Sequence, residues 1–158
     1  AIEGGIIVDI PFTTDPTSAI ALLNNAIGVV GTASTLASTG CFHERQVATW
    51  GGLRFIWGED WQRAPDALFM ADVSGPDAAS GLKVTLPSGQ SVGASSTDVM
   101  AAYSGAPFDD YGAWISLFYD IKSGTYGGDP DTFYGGYAYL TSGQLSGFSS
   151  PIRYYYDC

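Results

Sequence analysis

Basic side chains are scarce. The 158 residues hold six Lys plus Arg against sixteen Asp plus Glu, a formal net charge of −10. Phosphate binding needs a cationic face, and so does adhesion to an anionic membrane surface. Neither a nucleic-acid partner nor a membrane-surface role is therefore expected. Histidine occurs once, at His43, and cysteine twice, at Cys41 and Cys158. That inventory cannot complete a usual structural zinc site, which takes four Cys or His ligands. No stretch approaches the roughly 20 consecutive apolar residues of a membrane span. No signal peptide is present either. The chain opens at Ala1, as a processed chain would, and an N-terminal membrane anchor could have been removed with a missing upstream segment. A phosphate-binding loop and a His-Glu-x-x-His zinc motif are both missing, and no cofactor is expected.

What is abundant is Gly, with 21 residues, and aromatic side chains, at 14%. That balance favours many short strands joined by tight turns over long helices. Acidity of this size keeps a protein soluble and steers association with a basic partner. The even cysteine count, the few Lys and the many Gly, Ser, Thr and Tyr suggest an exported protein, secreted or attached to the cell envelope. Cys158 is the last residue, and a disulfide to Cys41 would tie it down; the alternative is two buried free thiols. Closing so long a loop would contribute about 4 kcal/mol in the chain-entropy model.

Two helix starts organise the chain. Ser95-Ser-Thr-Asp98 places an N-cap hydroxyl three residues before a carboxylate, and Val99, Met100 and Tyr103 then share a helical face. Eighty positions earlier, Asp15 and Pro16 open a helix over about 17–26, with Ile20, Leu23 and Ile27 as its apolar stripe and Gly28 as its stop. At that offset Thr17 matches Thr97, and Ala21 matches Ala101. Between and after these helices lie strand patterns. Residues 46–50 and 53–57 flank Gly51-Gly52 as a hairpin, and 67–73 read as a third strand. Residues 81–86 alternate, 113–121 form a strong strand, 134–148 a second hairpin, and 152–156 a last strand. Residues 31–40 read as a loop or weak strand. Residues 104–112 and 123–131 read as acidic and Gly/Asp/Pro loops. The expected fold is α+β, with two tandem helix-plus-antiparallel-sheet repeats packed into one compact unit, the first over 1–75 and the second over 76–158.

The Gly93 turn, the Ser95/Asp98 helix start and the late hairpin from Gly136 to Gly147 resemble the repeat shared by the beta-lactamase inhibitory protein and the small lipoprotein of the barrel-assembly machinery. With Cys41 and Trp50-Gly-Gly-Leu53, the whole chain is similar to uncharacterised secreted or lipid-anchored actinobacterial proteins. That resemblance implies a tandem-repeat fold and a protein-binding role, as an inhibitor-like or envelope factor.

Candidate chemistry is thin. His43 could couple to Glu44 or Cys41, although a lone loop histidine is ordinarily polar surface. Ser80-x-x-Lys83 and Lys122-Ser-Gly124 match fragments of penicillin-recognising enzymes, but Ser80 precedes a strand-like run and not a helix. Asp109-Asp110 and Asp129-Pro-Asp131 lack the spaced acids and distal Glu of a calcium loop. The remaining feature is aromatic: Trp57, Trp61, Tyr137, Tyr139 and Tyr154 are the candidate anchors of a concave, protein-binding sheet face. The expected function is thus a non-enzymatic extracytoplasmic protein-binding module. A secreted hydrolase and a carbohydrate-binding cell-wall protein are the alternatives.

Overall fold

The computed structural model describes the backbone of residues 10–39, 43–58, 67–126 and 129–154, with side chains for these except 122–134 and 152–154. In chain order the elements are α1 (Pro16–Ile27), β1 (Thr32–Leu36), β2 (Arg45–Trp50), β3 (Leu53–Gly58) and β4 (Phe69–Val73). There follow α2 (Ser96–Ala102), β5 (Phe108–Asp110), β6 (Trp114–Tyr126), β7 (Asp129–Thr141) and β8 (Gln144–Tyr154).

Both helices begin where local chemistry dictates. The Asp15 carboxylate accepts from the N–H groups of Thr17 and Ser18 at 3.0 and 3.1 Å, satisfying two of the donors that a helix start leaves unpaired. Hydrogen bonding to the charged form, from the Ser18 side chain first and then from these backbone N–H groups, holds its pKa below the usual carboxylate value. Gly28, in the left-handed conformation, closes α1. Ser95 Oγ accepts from Asp98 N at 3.3 Å, and the helix it opens is only seven residues long.

The eight strands form one sheet in the order β1-β2-β3-β4-β8-β7-β6-β5. Every neighbouring pair is antiparallel. The expectation of an α+β fold made of two tandem helix-plus-sheet repeats is overturned. β4 pairs directly with β8, through Ala71 with Ser150, Asp72 with Ser149 and Val73 with Phe148, so the hydrogen-bond ladder runs unbroken across the expected boundary near residue 75. The molecule is a single antiparallel sheet carrying two short helices. Three other expectations fail locally. Residues 81–86 make only an isolated bridge, Asp77 with Lys83, after a 3-10 turn over Ala79–Gly81. The expected acidic loop at 104–112 contains the edge strand β5, and the expected 123–131 loop is largely taken up by the ends of β6 and β7.

One face of the sheet carries the core. Ala48, Trp50, Leu53, Phe55, Phe69, Val73, Leu117, Tyr119, Ala138, Leu140, Leu145 and Phe148 pack in one cluster with Ala19 and Ile27 of α1 and Val99 of α2. Trp50 is locked at its edge: its indole N–H donates to Asn24 Oδ1 at 3.0 Å and to the Val29 carbonyl at 3.1 Å. The segment before α2 is pinned to the β7–β8 hairpin by Gly93 N–H to Leu145 O and Leu145 N–H to Ala94 O, both 2.8 Å. A smaller cluster of Val47, Ile56 and Met70 lies on the other face of the first four strands.

Candidate functional site

The period of two along β6 and β7 sends alternate side chains to opposite faces. Leu117, Tyr119, Ala138 and Leu140 enter the helix-covered core. Trp114, Ser116, Phe118, Tyr137 and Tyr139 therefore go to the opposite face, and the register sets Ser116 against Tyr139 and Phe118 against Tyr137. Their rings form a continuous row. Phe118 and Tyr137 lie 5.8 Å apart between centroids, Tyr137 and Tyr139 6.4 Å, and Tyr139 and Trp114 6.4 Å. Tyr111 then stacks on Trp114 at 5.0 Å and 26°.

Local chemistry fixes this row. The turn before β6 is held by Gly112 N–H donating to Asp110 Oδ1 at 2.8 Å and by Tyr111 N–H donating to the Trp114 carbonyl at 3.0 Å. That turn lays the Tyr111 ring on the indole. Ser116, only 5% exposed, sits beneath the tyrosines, with its hydroxyl 3.1 Å from the Tyr137 hydroxyl. A small residue there leaves room for the rings to lie over the strand, and the hydroxyl contact limits how Tyr137 can turn. At the open end of the row, Thr141 and Ser146 share a short hydroxyl contact. The row remains accessible to solvent: Tyr111 is 57% and Trp114 38% exposed, and Tyr137 and Tyr139 are half-buried.

Polar groups flank the rings. Asp109 on β5 pairs with Ser116 and so shares the aromatic face. On the other side, the register runs from Tyr137 through Ser149 and Asp72 to Arg54. Arg54 Nε and Nη2 both donate to Asp72 Oδ2, at 2.9 and 2.6 Å. That pair cancels locally, whereas Asp109 stands beside the rings with no cationic partner among the described residues.

Of the five anchors expected from sequence, the structure brings Tyr137 and Tyr139 together. Trp57 lies on the helix side, packed against the main core with its ring 6.1 Å from Phe55. Tyr154 is paired with Phe133 at the end of β8, its side chain outside the described set, and Trp61 lies outside the described residues. The Cys41–Cys158 pairing also lies outside them. Sequence reasoning missed Tyr111, Trp114 and Phe118. The signal was available in part, because Trp114-Ile-Ser-Leu-Phe118 alternates cleanly.

The chemical candidates are dispersed. His43 and Glu44 are exposed just before β2, and Ser80 donates its hydroxyl to the Ile27 carbonyl at 2.8 Å, tying the 3-10 turn to the end of α1. No group of three or more His, Cys, Asp or Glu able to hold a metal ion occurs among the described residues. No helix among them is long and apolar enough to cross a membrane. In comparisons with known proteins, no family model, no curated protein and no solved structure matches the chain.

Proposed function

We propose that this chain is a protein-binding module whose recognition surface is the aromatic row Tyr111–Trp114–Tyr139–Tyr137–Phe118, and that its partner presents a basic, Lys/Arg-bearing surface. The observation that carries the reading is the uninterrupted ring-to-ring contact of five aromatic side chains on the sheet face opposite the helices. Tyr and Trp give a large contact area while losing little side-chain entropy, and rings already held by one another have still less to lose on binding. Asp109 beside the row and the net charge of −10 favour cationic side chains, which can also sit over the ring faces. An extracytoplasmic setting, secreted or envelope-attached, belongs to the same proposal and is supported by the residue balance of the sequence.

Capture from an envelope extract, identification of the bound proteins by mass and reconstitution with the purified partner test this reading. Trp114→Ala and Tyr139→Ala should each weaken the reconstituted complex by about 1–3 kcal/mol, roughly 5- to 150-fold in Kd. Binding should also weaken as salt is raised. Unchanged affinity in both variants, with the fold intact by circular dichroism, rejects this face. Titration of the same rings by neutral oligosaccharides and not by protein would move the assignment to a carbohydrate-binding module.

A further inference from the structure

The two ends of the sheet differ in chemistry. β5, one edge, carries Asp109 and Asp110, and charge on an edge strand discourages the addition of another strand. β1, the other edge, has no such guard. Its residues are Thr-Ala-Ser-Thr-Leu, the first four exposed, and among the described residues β2 is its one strand neighbour. No Asp, Glu, Lys, Arg or His occurs anywhere between Asp15 and His43. Val29 and Val30, which lead into β1, are 43% and 77% exposed. An edge with unpaired backbone donors and acceptors, β-branched residues, no proline and no charge is a template for strand pairing.

We propose that this edge pairs antiparallel with β1 of a second copy of the chain, joining two sheets edge to edge. The charge pattern decides where two copies can meet. Copies carrying −10 each repel over most of their surfaces, and β1 with its approach is an unpaired edge at which they meet without opposing like charges. A two-fold axis through such a pair sets Ser34, the middle residue of β1, against its own counterpart. It also turns the exposed Val29 and Val30 toward the ends of the partner's strand, and self-complementary contacts of this kind close as dimers. Because the axis runs perpendicular to the sheet, both aromatic rows end on one side of the joined sheet, roughly 50–60 Å apart at about 4.8 Å per strand. A five-residue strand pair is a small interface, so association is reversible and depends on concentration.

Sedimentation velocity over a concentration series tests this directly. The full chain should shift from monomer to dimer as concentration rises, and more readily in 0.5 M than in 0.02 M NaCl, because salt screens the mutual repulsion. Ser34→Lys sets like charges opposite one another at the axis while lowering the net negative charge. It should therefore weaken dimerisation at least tenfold even though overall repulsion falls. Asp110→Ser, on the opposite edge, should leave dimerisation in place. Hydrogen exchange on the unmodified chain gives an independent readout, with β1 amides becoming more protected as concentration rises. A chain that stays monomeric in high salt up to millimolar concentration overturns the proposal. So does a dimer indifferent to Ser34→Lys, or one whose β1 amides gain no protection.

Discussion

Gly136 and Tyr119 face each other across β7 and β6, and the glycine exists because of the ring. A Cβ built on Gly136 would lie 2.0 Å from Tyr119 Cε2, 2.1 Å from Cζ and 2.5 Å from Cδ2. Carbon contacts settle near 3.5–4.0 Å, so Gly136→Ala requires the ring to move by about 1.5 Å. It has nowhere to go: Tyr119 is 4% exposed, and the Tyr103 ring lies 5.3 Å away on the helix side. Overpacking of this kind costs about 1–3 kcal/mol. The gain from replacing glycine in a strand returns about 0.5–1 kcal/mol. An overlap this deep puts the cost at the upper end, so the expected net loss is about 2–2.5 kcal/mol, rising toward about 3–5 kcal/mol if the ring is expelled from the core, as for a large truncation.

Urea unfolding followed by circular dichroism measures this, provided the slope of free energy against urea stays constant. The decisive comparison is with Tyr119→Val, which removes the ring atoms that clash. In that background Gly136→Ala should be neutral or slightly stabilising, giving a coupling of about 1.5–3 kcal/mol between the two sites. Gly143→Ala supplies the contrast. Gly143 has no heavy atom within 4 Å of its would-be Cβ but sits at φ 77°, so alanine there costs roughly 1–2 kcal/mol through backbone strain alone, with or without Tyr119. If Gly136→Ala is as stable as the parent, or equally destabilising with and without the Tyr119 ring, steric opposition across this pair is not why the glycine is there.

Two further predictions concern stability. Burial first, then the neighbouring Tyr103 and Asp120, push the Tyr119 hydroxyl well above the ordinary tyrosine value. A raised folded-state pKa contributes stability that is fully present below the unfolded value near 10 and is lost as pH rises through the window between the two states. Unfolding midpoints should therefore fall above about pH 10, and Tyr119→Phe should flatten that fall; the same pH profile in both proteins would rule the linkage out. Asn24→Ala removes the acceptor that serves both the Trp50 indole at 3.0 Å and the Gly31 N–H at 2.8 Å. The indole keeps the Val29 carbonyl, but the Gly31 N–H loses its partner, so a loss of about 1–3 kcal/mol is expected in thermal or urea unfolding.

What was legible in the sequence was local. Asp15-Pro16 and Ser95-x-x-Asp98 mark helix starts because capping is decided within one turn, and Gly51-Gly52 marks a hairpin because two residues suffice to reverse the chain. The β4–β8 pairing joins residues 71–73 to 148–150 and leaves no local trace. Without it, strands clustered after each helix read naturally as two sheets. The Gly/Asp/Pro content of 123–131 pointed to a loop, yet most of that backbone belongs to the long β6–β7 hairpin. In the opposite sense, 81–86 alternates like a strand but has no continuous partner, and alternation without a partner gives a single bridge.

The aromatic face shows where that limit falls for function. Alternation within a strand says which residues travel together: Leu53, Phe55 and Trp57 on one side of β3, Tyr137 and Tyr139 on one side of β7. It does not say which side of one strand continues which side of another. That parity is carried from strand to strand by the register, from Arg54 to Asp72 to Ser149 to Tyr137. Each of these four residues lies on the face opposite Phe55, Val73 and Phe148, and a shift by one residue at any of the three pairings would have moved Trp57 to the tyrosines' face. The same rule gathers Phe118 and Trp114 with the tyrosines, since Phe118 opposes Tyr137 and Trp114 opposes Thr141, two residues from Tyr139. A candidate surface on a sheet is thus a property of pairings between strands distant in sequence. Of the five anchors expected from sequence, the two the structure unites share one strand, where no long-range register had to be known.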